Sequence, residues 1–267
     1  MNIFHFSQQG KRPYQEDSFL IDDSYHKIFI VCDGVGGSSG GSLASQSTVD
    51  YFKGVFESQV SHNFNDEEIV NLYNGAQENL LDVVNRNPGN EGMATTAVIA
   101  CFTPSETIIS HLGDSRAYVL LRSSNAYWRS KNHSLVQELF DAGILKSEYD
   151  MQSHPMKNRI TSAITSSTKS EITKPSITRF DRLDPGDIIM LCSDGVLEAF
   201  PNDEFIGLLF DPNLPFEEKA HKIQEECAKI SKDNNTCIIV ELEPGEAYMS
   251  GSNRGVDFRS ISGINIE

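Results

Sequence analysis

Apolar and polar positions recur along this chain with two periods, and the change of period marks its elements. Ile28-Phe29-Ile30-Val31-Cys32 is five apolar residues in a row, the mark of a strand buried on both faces. Residues 1–6 alternate as a short strand. Between 40 and 60, Ala44, Tyr51, Phe52, Val55 and Phe56 fall on one helical face. Ile69, Tyr73, Ala76, Leu80 and Val83 recur at spacings of four and three, and Asn65-Asp66-Glu67-Glu68 before them has the form of a capping box, with Asn65 as N-cap. Strands follow at 95–102, 107–112, 117–122 and 126–129, broken at Pro104, Gly113 and Asn125. Short strands on short connections imply antiparallel pairing.

Residues 133–159 turn helical and loop-like around Leu135, Val136, Leu139 and Gly143, and 162–176 are rich in Ser, Thr and Lys, the composition of an exposed loop. A second buried strand, 187–192, is entered through Asp184-Pro185-Gly186 and leaves in Ser193-Asp194-Gly195. Helices are expected at 203–210 and 216–230, the latter lined by Ala220, Ile223 and Cys227, with a strand at 236–242 after Asp233-Asn234-Asn235. Tyr51, Phe52, Phe56, Leu80 and Phe210 are core candidates and Trp128 a packing residue. Residues 244–267 carry Gly, Ser and Asn without a core pattern, so the expected layout is one domain over 1–243 and a flexible tail.

Composition narrows the class. Of 267 residues, 39% are hydrophobic and 22% charged, enough for one large core. The net charge of −16 argues against nucleic-acid or anionic-membrane partners. The five cysteines, Cys32, Cys101, Cys192, Cys227 and Cys237, sit mostly inside apolar runs, with neither disulfide nor zinc spacing. No charged-then-apolar leader opens the sequence and no apolar run approaches membrane-spanning length. The expected location is the cytoplasm.

The chemistry lies where strands stop. Asp33, Asp114 and Asp194 each follow a buried-looking run, and Asp233 precedes one. In antiparallel pairing the end of one strand lies beside the start of its neighbour, so these four acids can meet at one rim. Glu16 and Asp17, at a strand start, can join them. Each alone reads as a turn or a surface pair; the recurrence is what points to a site. Carboxylates so crowded repel unless cations offset them. An oxygen-only donor set without paired histidines favours magnesium or manganese over zinc. Two such ions bridged by one carboxylate make the two-metal arrangement for hydrolysing phosphate esters. His5, His111 and His133 lack paired spacing and read as structural or surface histidines.

These residues carry a family resemblance. Arg12-Pro13-Tyr14-Gln15-Glu16-Asp17, Asp33-Gly34-Val35-Gly36-Gly37, Gly92-Met93-Ala94-Thr95-Thr96, Gly113-Asp114-Ser115-Arg116, His133-Ser134-Leu135, Ser193-Asp194-Gly195 and Asp233-Asn234-Asn235-Thr236 stand in the order of the type 2C metal-dependent protein phosphatases (the PPM family). The chain resembles their compact bacterial form over about residues 1–242. The resemblance implies an α+β fold, a four-layer α-β-β-α sandwich of two antiparallel sheets flanked by helices. It implies a monomeric serine/threonine phosphatase acting on phosphoproteins made by a kinase. By the family pattern Asp33 bridges two Mg2+ or Mn2+ ions. Asp194 and Asp233 hold the first ion, and Glu16 and the Gly34 carbonyl serve the second. Asp17 orients the attacking water, Arg12 grips the phosphate, and Asp114 with Asp194 holds a third, weaker ion found in many members.

The sequence departs from that pattern at Val35, where eukaryotic members carry a histidine, at Asn132, at Glu198, and in the glycine-poor stretch 165–169 that shapes a different flap. Other phosphatase classes fail on spacing. Val35 stands where a haloacid-dehalogenase-type enzyme needs its second aspartate. No arginine lies six positions after Cys32, Cys101 or Cys192. A dinucleotide site would need glycine at Ser39. The remaining alternatives are a silent phosphatase fold used for binding, against which the complete carboxylate set stands, and hydrolysis of a small phosphate ester.

Overall fold

A strand with apolar residues at every position needs a layer on each side, and the first buried run finds two. The structure is a computed structural model that describes residues 1–23, 27–35, 39–58, 64–167, 174–244, 253 and 255–261. In chain order it contains β1 (Asn2–Gln8), β2 (Asp17–Asp22), β3 (Ile28–Val35), α1 (Ser39–Ser58), α2 (Asp66–Arg86), β4 (Ala94–Thr95), β5 (Ala97–Phe102), β6 (Thr107–Leu112), β7 (Arg116–Leu121), β8 (Ala126–Arg129), α3 (Leu135–Asp141), α4 (Glu148–Ser153), β9 (Ile164–Thr165), β10 (Ser176–Phe180), β11 (Ile188–Cys192), α5 (Asp194–Ala199), α6 (Phe205–Phe210), α7 (Phe216–Ile230), β12 (Asn235–Glu241) and β13 (Arg259–Ser260). One sheet has the order β1-β12-β11-β7-β8-β13; the other runs β10-β6-β5-β3-β4-β9, with β2 also paired to β3. Every pairing among these strands is antiparallel.

The strand period of two sorts side chains into three apolar layers. Phe29 and Val31 of β3 meet Ala117, Val119, Ile189, Leu191, Ile238 and Val240 in the seam between the sheets. Ile28, Ile30 and Cys32 point the other way, onto Phe52, Tyr73, Ala76 and Leu80 of α1 and α2. Tyr118, Met190 and Ile239 turn their backs on the seam and pack with Phe205, Ile223 and Cys227 of α6 and α7. The result is the α-β-β-α sandwich. All five cysteines are buried and free.

Local signals hold where the chain is locally determined. Asn65 Oδ1 accepts from the Glu68 amide at 2.9 Å, and Glu68 returns the bond to the Asn65 amide at 2.8 Å, completing the box that starts α2. Trp128 packs edge-on to Phe180, with ring centroids 5.2 Å apart.

Three expectations are corrected. The stretch expected to be an exposed loop contains β9, whose Ile164 is buried and pairs with Thr95; Lys169 lies outside the described residues. The helix expected from 203 begins at Phe205. Asp203 is instead a buried hub with φ of +61°, bonded to Tyr118 Oη at 2.7 Å, Arg116 and Arg129. The third concerns the chain's end: residues 255–261 are not a tail free of the domain. Val256 and Phe258 pack on the inter-sheet layer, Ile261 packs against the α6–α7 side, and β13 adds an edge strand beside β8. Three spaced apolar residues are too few for a periodicity reading to register.

The capping box supports a measurable expectation. Replacing Asn65 by Ala should lower unfolding stability by about 1 kcal/mol, the ordinary worth of an N-cap, read from urea denaturation; an unchanged midpoint would show that the box contributes nothing.

Candidate active site

The acids sit where the seam between the sheets ends. Residues 29, 31 and 33 of β3 share one face, so Asp33 is the next inward-facing position beyond Phe29 and Val31. The β2–β3 register sets Asp17 directly opposite Asp33, on the same face as Phe19 and Ile21. On the facing sheet Ser193 extends the inward series of Ile189 and Leu191, and Thr236 that of Ile238 and Val240. Ser193 Oγ donates to Asp17 Oδ2 at 2.8 Å and accepts from the Thr236 amide at 2.9 Å. Asp17 therefore ties the sheets together at the rim.

Each functional group is held from behind. The Asp33 backbone is clamped by Thr96, whose amide donates to the Asp33 carbonyl at 2.8 Å and whose Oγ1 accepts from the Asp33 amide at 3.0 Å. Asn234 Oδ1 accepts from the Glu16 amide at 2.8 Å, and its Nδ2 donates to the carbonyls of Gln9 and Tyr14. That one side chain fixes the loop carrying Arg12 and Glu16 to the start of β12. Glu198 Oε2 accepts from the amides of Lys232 and Asp233 at 2.7 and 3.2 Å, so it positions Asp233. Arg116 Nε donates to Asn132 Oδ1 at 2.7 Å. Sequence reasoning treated Asn234 only as part of a weak motif and missed the holding roles of Ser193 and Thr96; a side chain's tertiary partner leaves no periodic trace.

Glycine matters where the backbone carries the site. A Cβ on Gly34 would lie 2.1 Å from the Gly41 carbonyl oxygen. A Cβ on Gly41 would lie 2.4 Å from Glu16 Oε1 and 3.0 Å from the Gly34 carbonyl oxygen. These two oxygens thus face one small space that only glycine leaves open. Gly36 and Gly37 lie outside the described residues.

The electrostatics are those of crowded anions. Burial, then Asp17, Asp194, Asp114 and Asp233, push the Asp33 carboxyl well above the usual range. Burial, with Asp114, Asp233 and Asp17, moves Asp194 up to about 8, partly relieved by a hydrogen bond with Asp33. Burial raises Asp17 to about 6, with Asp233 and Glu16 adding to the shift against the pull of Ser193 and Thr236. Burial raises Asp114 and Glu16 as well, and Asp233 adds to both shifts. Arg12 donates to Asp233 Oδ2 at 2.5 Å. Among the described residues the Glu16 Oε1 and Asp17 Oδ1 atoms are buried without a hydrogen-bond partner. The sequence-selected acids are thus brought to one rim and feel one another, yet no three acid, imidazole or thiol side chains among the described residues converge on a single point as ready-made ligands. His111 and His133 stack at 4.8 Å and are bonded to the backbone of Lys131 and Gly113, so they serve the scaffold.

At the rim a cleft of about 430 Å³ is lined by Arg12, Asp114, Asp194 and Asp233 together with Glu148 and Met151 of α4.

The comparisons with known proteins agree with this arrangement. The protein phosphatase 2C profile matches residues 7–230. The chain belongs to the protein phosphatase 2C family. It is 29% identical over 235 residues to the serine/threonine phosphatase stp of Listeria innocua, covering 86% of this chain and 91% of that protein. The crystal structure of the Mycobacterium tuberculosis serine/threonine phosphatase PstP superposes with a TM-score of 0.78 at 25% identity, over 91% of this chain and 98% of that one. A structure of the catalytic domain of PstP in complex with two manganese ions shares the fold, with a TM-score of 0.75 at 23% identity, covering 91% and 98% of the two chains.

The raised carboxyls give a pH expectation for the chain in chelator. The folded state holds these protons to higher pH than the unfolded chain does. Their contribution to stability is therefore full below about pH 4 and is lost as pH rises through about 6 for Asp17 and about 8 for Asp194. Asp33→Asn should raise the metal-free Tm at pH 8 and flatten its decline between pH 5 and 8. Thermal unfolding of both proteins checks this; identical declines would mean that Asp33 carries no such repulsion.

Proposed function

We propose that this family member hydrolyses phosphoserine and phosphothreonine in proteins with two Mg2+ or Mn2+ ions at the rim. The observation that carries the reading is the Asp17–Asp33 pair at the end of the inter-sheet seam, with Asp194 at the same rim and the buried Glu16 Oε1 and Asp17 Oδ1 without hydrogen-bond partners among the described residues. Such a set is costly without cations. Its donors are oxygens only, which suits hard divalent ions, and the relative with two manganese ions has the same fold.

On this reading Asp33, Asp194 and Asp233 would hold one ion, and Asp33, Glu16 and the Gly34 carbonyl the other. Asp114 with Asp194 would hold a third, weaker ion. Divalent ions bound there supply Lewis acidity and a nucleophilic water at neutral pH. Asp17, anchored by Ser193, orients the attacking water. Arg12 exchanges one anion for another: its guanidinium leaves Asp233 and forks onto the phosphate oxygens, where it offsets charge developing at phosphorus. Neither cysteine nor histidine is needed as a nucleophile, consistent with five buried thiols. Val35 carries no proton for the leaving group, so either a water protonates it or it departs without a general acid. The partners are phosphoproteins made by a serine/threonine kinase. The acidic net charge disfavours nucleic acid and anionic membranes, no helix among the described residues is long and apolar enough to cross a membrane, and the enzyme works as a cytoplasmic monomer.

Two expectations test this. A phosphothreonine peptide should be dephosphorylated with Mn2+ and not in excess chelator, and Asp33→Asn should lose turnover while keeping its folded circular-dichroism spectrum; turnover that survives chelation would sink the mechanism. Arg12→Ala should lower kcat about 10²-fold, the scale for one transition-state donor, measured by phosphate release on a small ester.

A further inference from the structure

The last described segment of the chain reaches the wall of the cleft. Asn253 exchanges two hydrogen bonds with the Arg182 backbone, accepting from its amide at 3.0 Å and donating to its carbonyl at 2.8 Å. Phe258 then packs edge-on to Phe180 at 6.2 Å, and β13 pairs with β8, placing Arg259 opposite Tyr127. This route delivers Arg259 Nη1 to Glu148 Oε1 at 2.7 Å. Arg129, from β8, donates Nη2 to the same oxygen at 2.7 Å. Glu148 is held by two guanidinium groups, one from the sheet and one from the C-terminal segment. Burial works against its charge, but Arg129 and Arg259 more than offset it and hold its carboxyl below the usual range.

Glu148 is the first residue of α4 and lines the cleft beside Met151 and Gln152. The helix has six residues and buries none of them. A helix that short does not persist on its own propensity, and apart from its packing on α3 no buried side chain fixes where it lies. The Ser147–Asp150 capping box closes its first turn, and among its ties to the rest of the chain is the double-arginine grip on Glu148. Arg129 is fixed independently, since it also binds Asp203. Arg259 is carried by the tail strand and is 42% exposed.

We propose that Arg259 is a positioning residue for substrate recognition: docked by β13, it fixes through Glu148 the α4 wall against which the polypeptide flanking a phosphorylated side chain lies. The C-terminal segment then tunes affinity for a phosphorylated polypeptide without touching the acids at the rim. The inference rests on the reading that the cleft receives such a polypeptide.

The test uses the full chain with Mn2+ and two substrates, p-nitrophenyl phosphate and a phosphothreonine peptide of about ten residues. Arg259→Ala should raise KM for the peptide about three- to fivefold, the upper part of what an exposed ion pair is worth, with kcat on the peptide and both constants on the small ester within about twofold of the original. Arg259→Lys, which keeps one donor for Glu148 Oε1, should bring the peptide KM back. An unchanged peptide KM in Arg259→Ala overturns the inference, and so does an equal loss on both substrates, which would mean that the residue only supports the fold. If the unmodified chain turns over neither substrate, the phosphatase reading falls and this inference with it; a peptide KM indifferent to residue 259 in an active enzyme removes the inference alone.

Discussion

Two carboxylates placed opposite each other on the inner face of a sheet are the constraint that the rest of this molecule accommodates. Like charges directly across an antiparallel pair destabilise it, and burial strengthens the effect. At Asp17 and Asp33 the register makes the pairing unavoidable. Moving β3 by one residue would turn Ile28, Ile30 and Cys32 away from their helices, and moving β2 would turn Phe19 and Ile21 out of the seam. The apolar layers on both sides of β3 therefore hold the acids together. The folding energy of the sandwich is what keeps an unfavourable contact in place.

The rim shows how such a contact is tolerated. Ser193 donates to Asp17, Asp33 and Asp194 share a hydrogen bond, and Arg12 covers Asp233. These bonds soften the repulsion without cancelling it, since Asp17, Asp33 and Asp194 all stay raised. Elsewhere the scaffold spends neutral or well-paired groups on rigidity. Asn234 pins the Arg12 loop, Glu198 pins the Asp233 backbone, and Asp203 gathers Arg116, Arg129 and Tyr118 into one buried knot. Strain is thus concentrated in the groups that face the cleft, while the groups behind them are satisfied.

What the sequence revealed and what it hid divide along a physical line. β3, α2 with its capping box and α7 were legible because a run of apolar residues, a cap or a helical period is written in neighbouring positions. The rim acids were legible as a set because each stands at the end or start of an apolar run. The Asp17–Asp33 opposition required a register, which belongs to two strands at once. Asp203 looked like the start of a helix, yet its neighbours Arg116 and Arg129 come from 87 and 74 residues away. The short strand β9 and the docked segment 255–261 were hidden for a related reason. Each is too brief to show a period, and each is stabilised by a partner strand rather than by its own composition.

The rim acids and α4, which both line the cleft, are built on opposite principles. The acid side is the end of a doubly covered sandwich, where moving one side chain means disturbing three packed layers. Helix α4 buries none of its residues, and Glu148 is held by two charge-assisted hydrogen bonds from arginines anchored on different parts of the chain. Hydrogen bonds at a half-exposed surface give way at far lower cost than a core does. The rim acids are therefore the rigid part of the cleft, and α4 is the part that costs less to move. On the proposed reading a change at Arg259 reaches the cleft through Glu148, whereas Asp17 and Asp33, 242 and 226 residues away in the chain, are held by the layers of the sandwich instead.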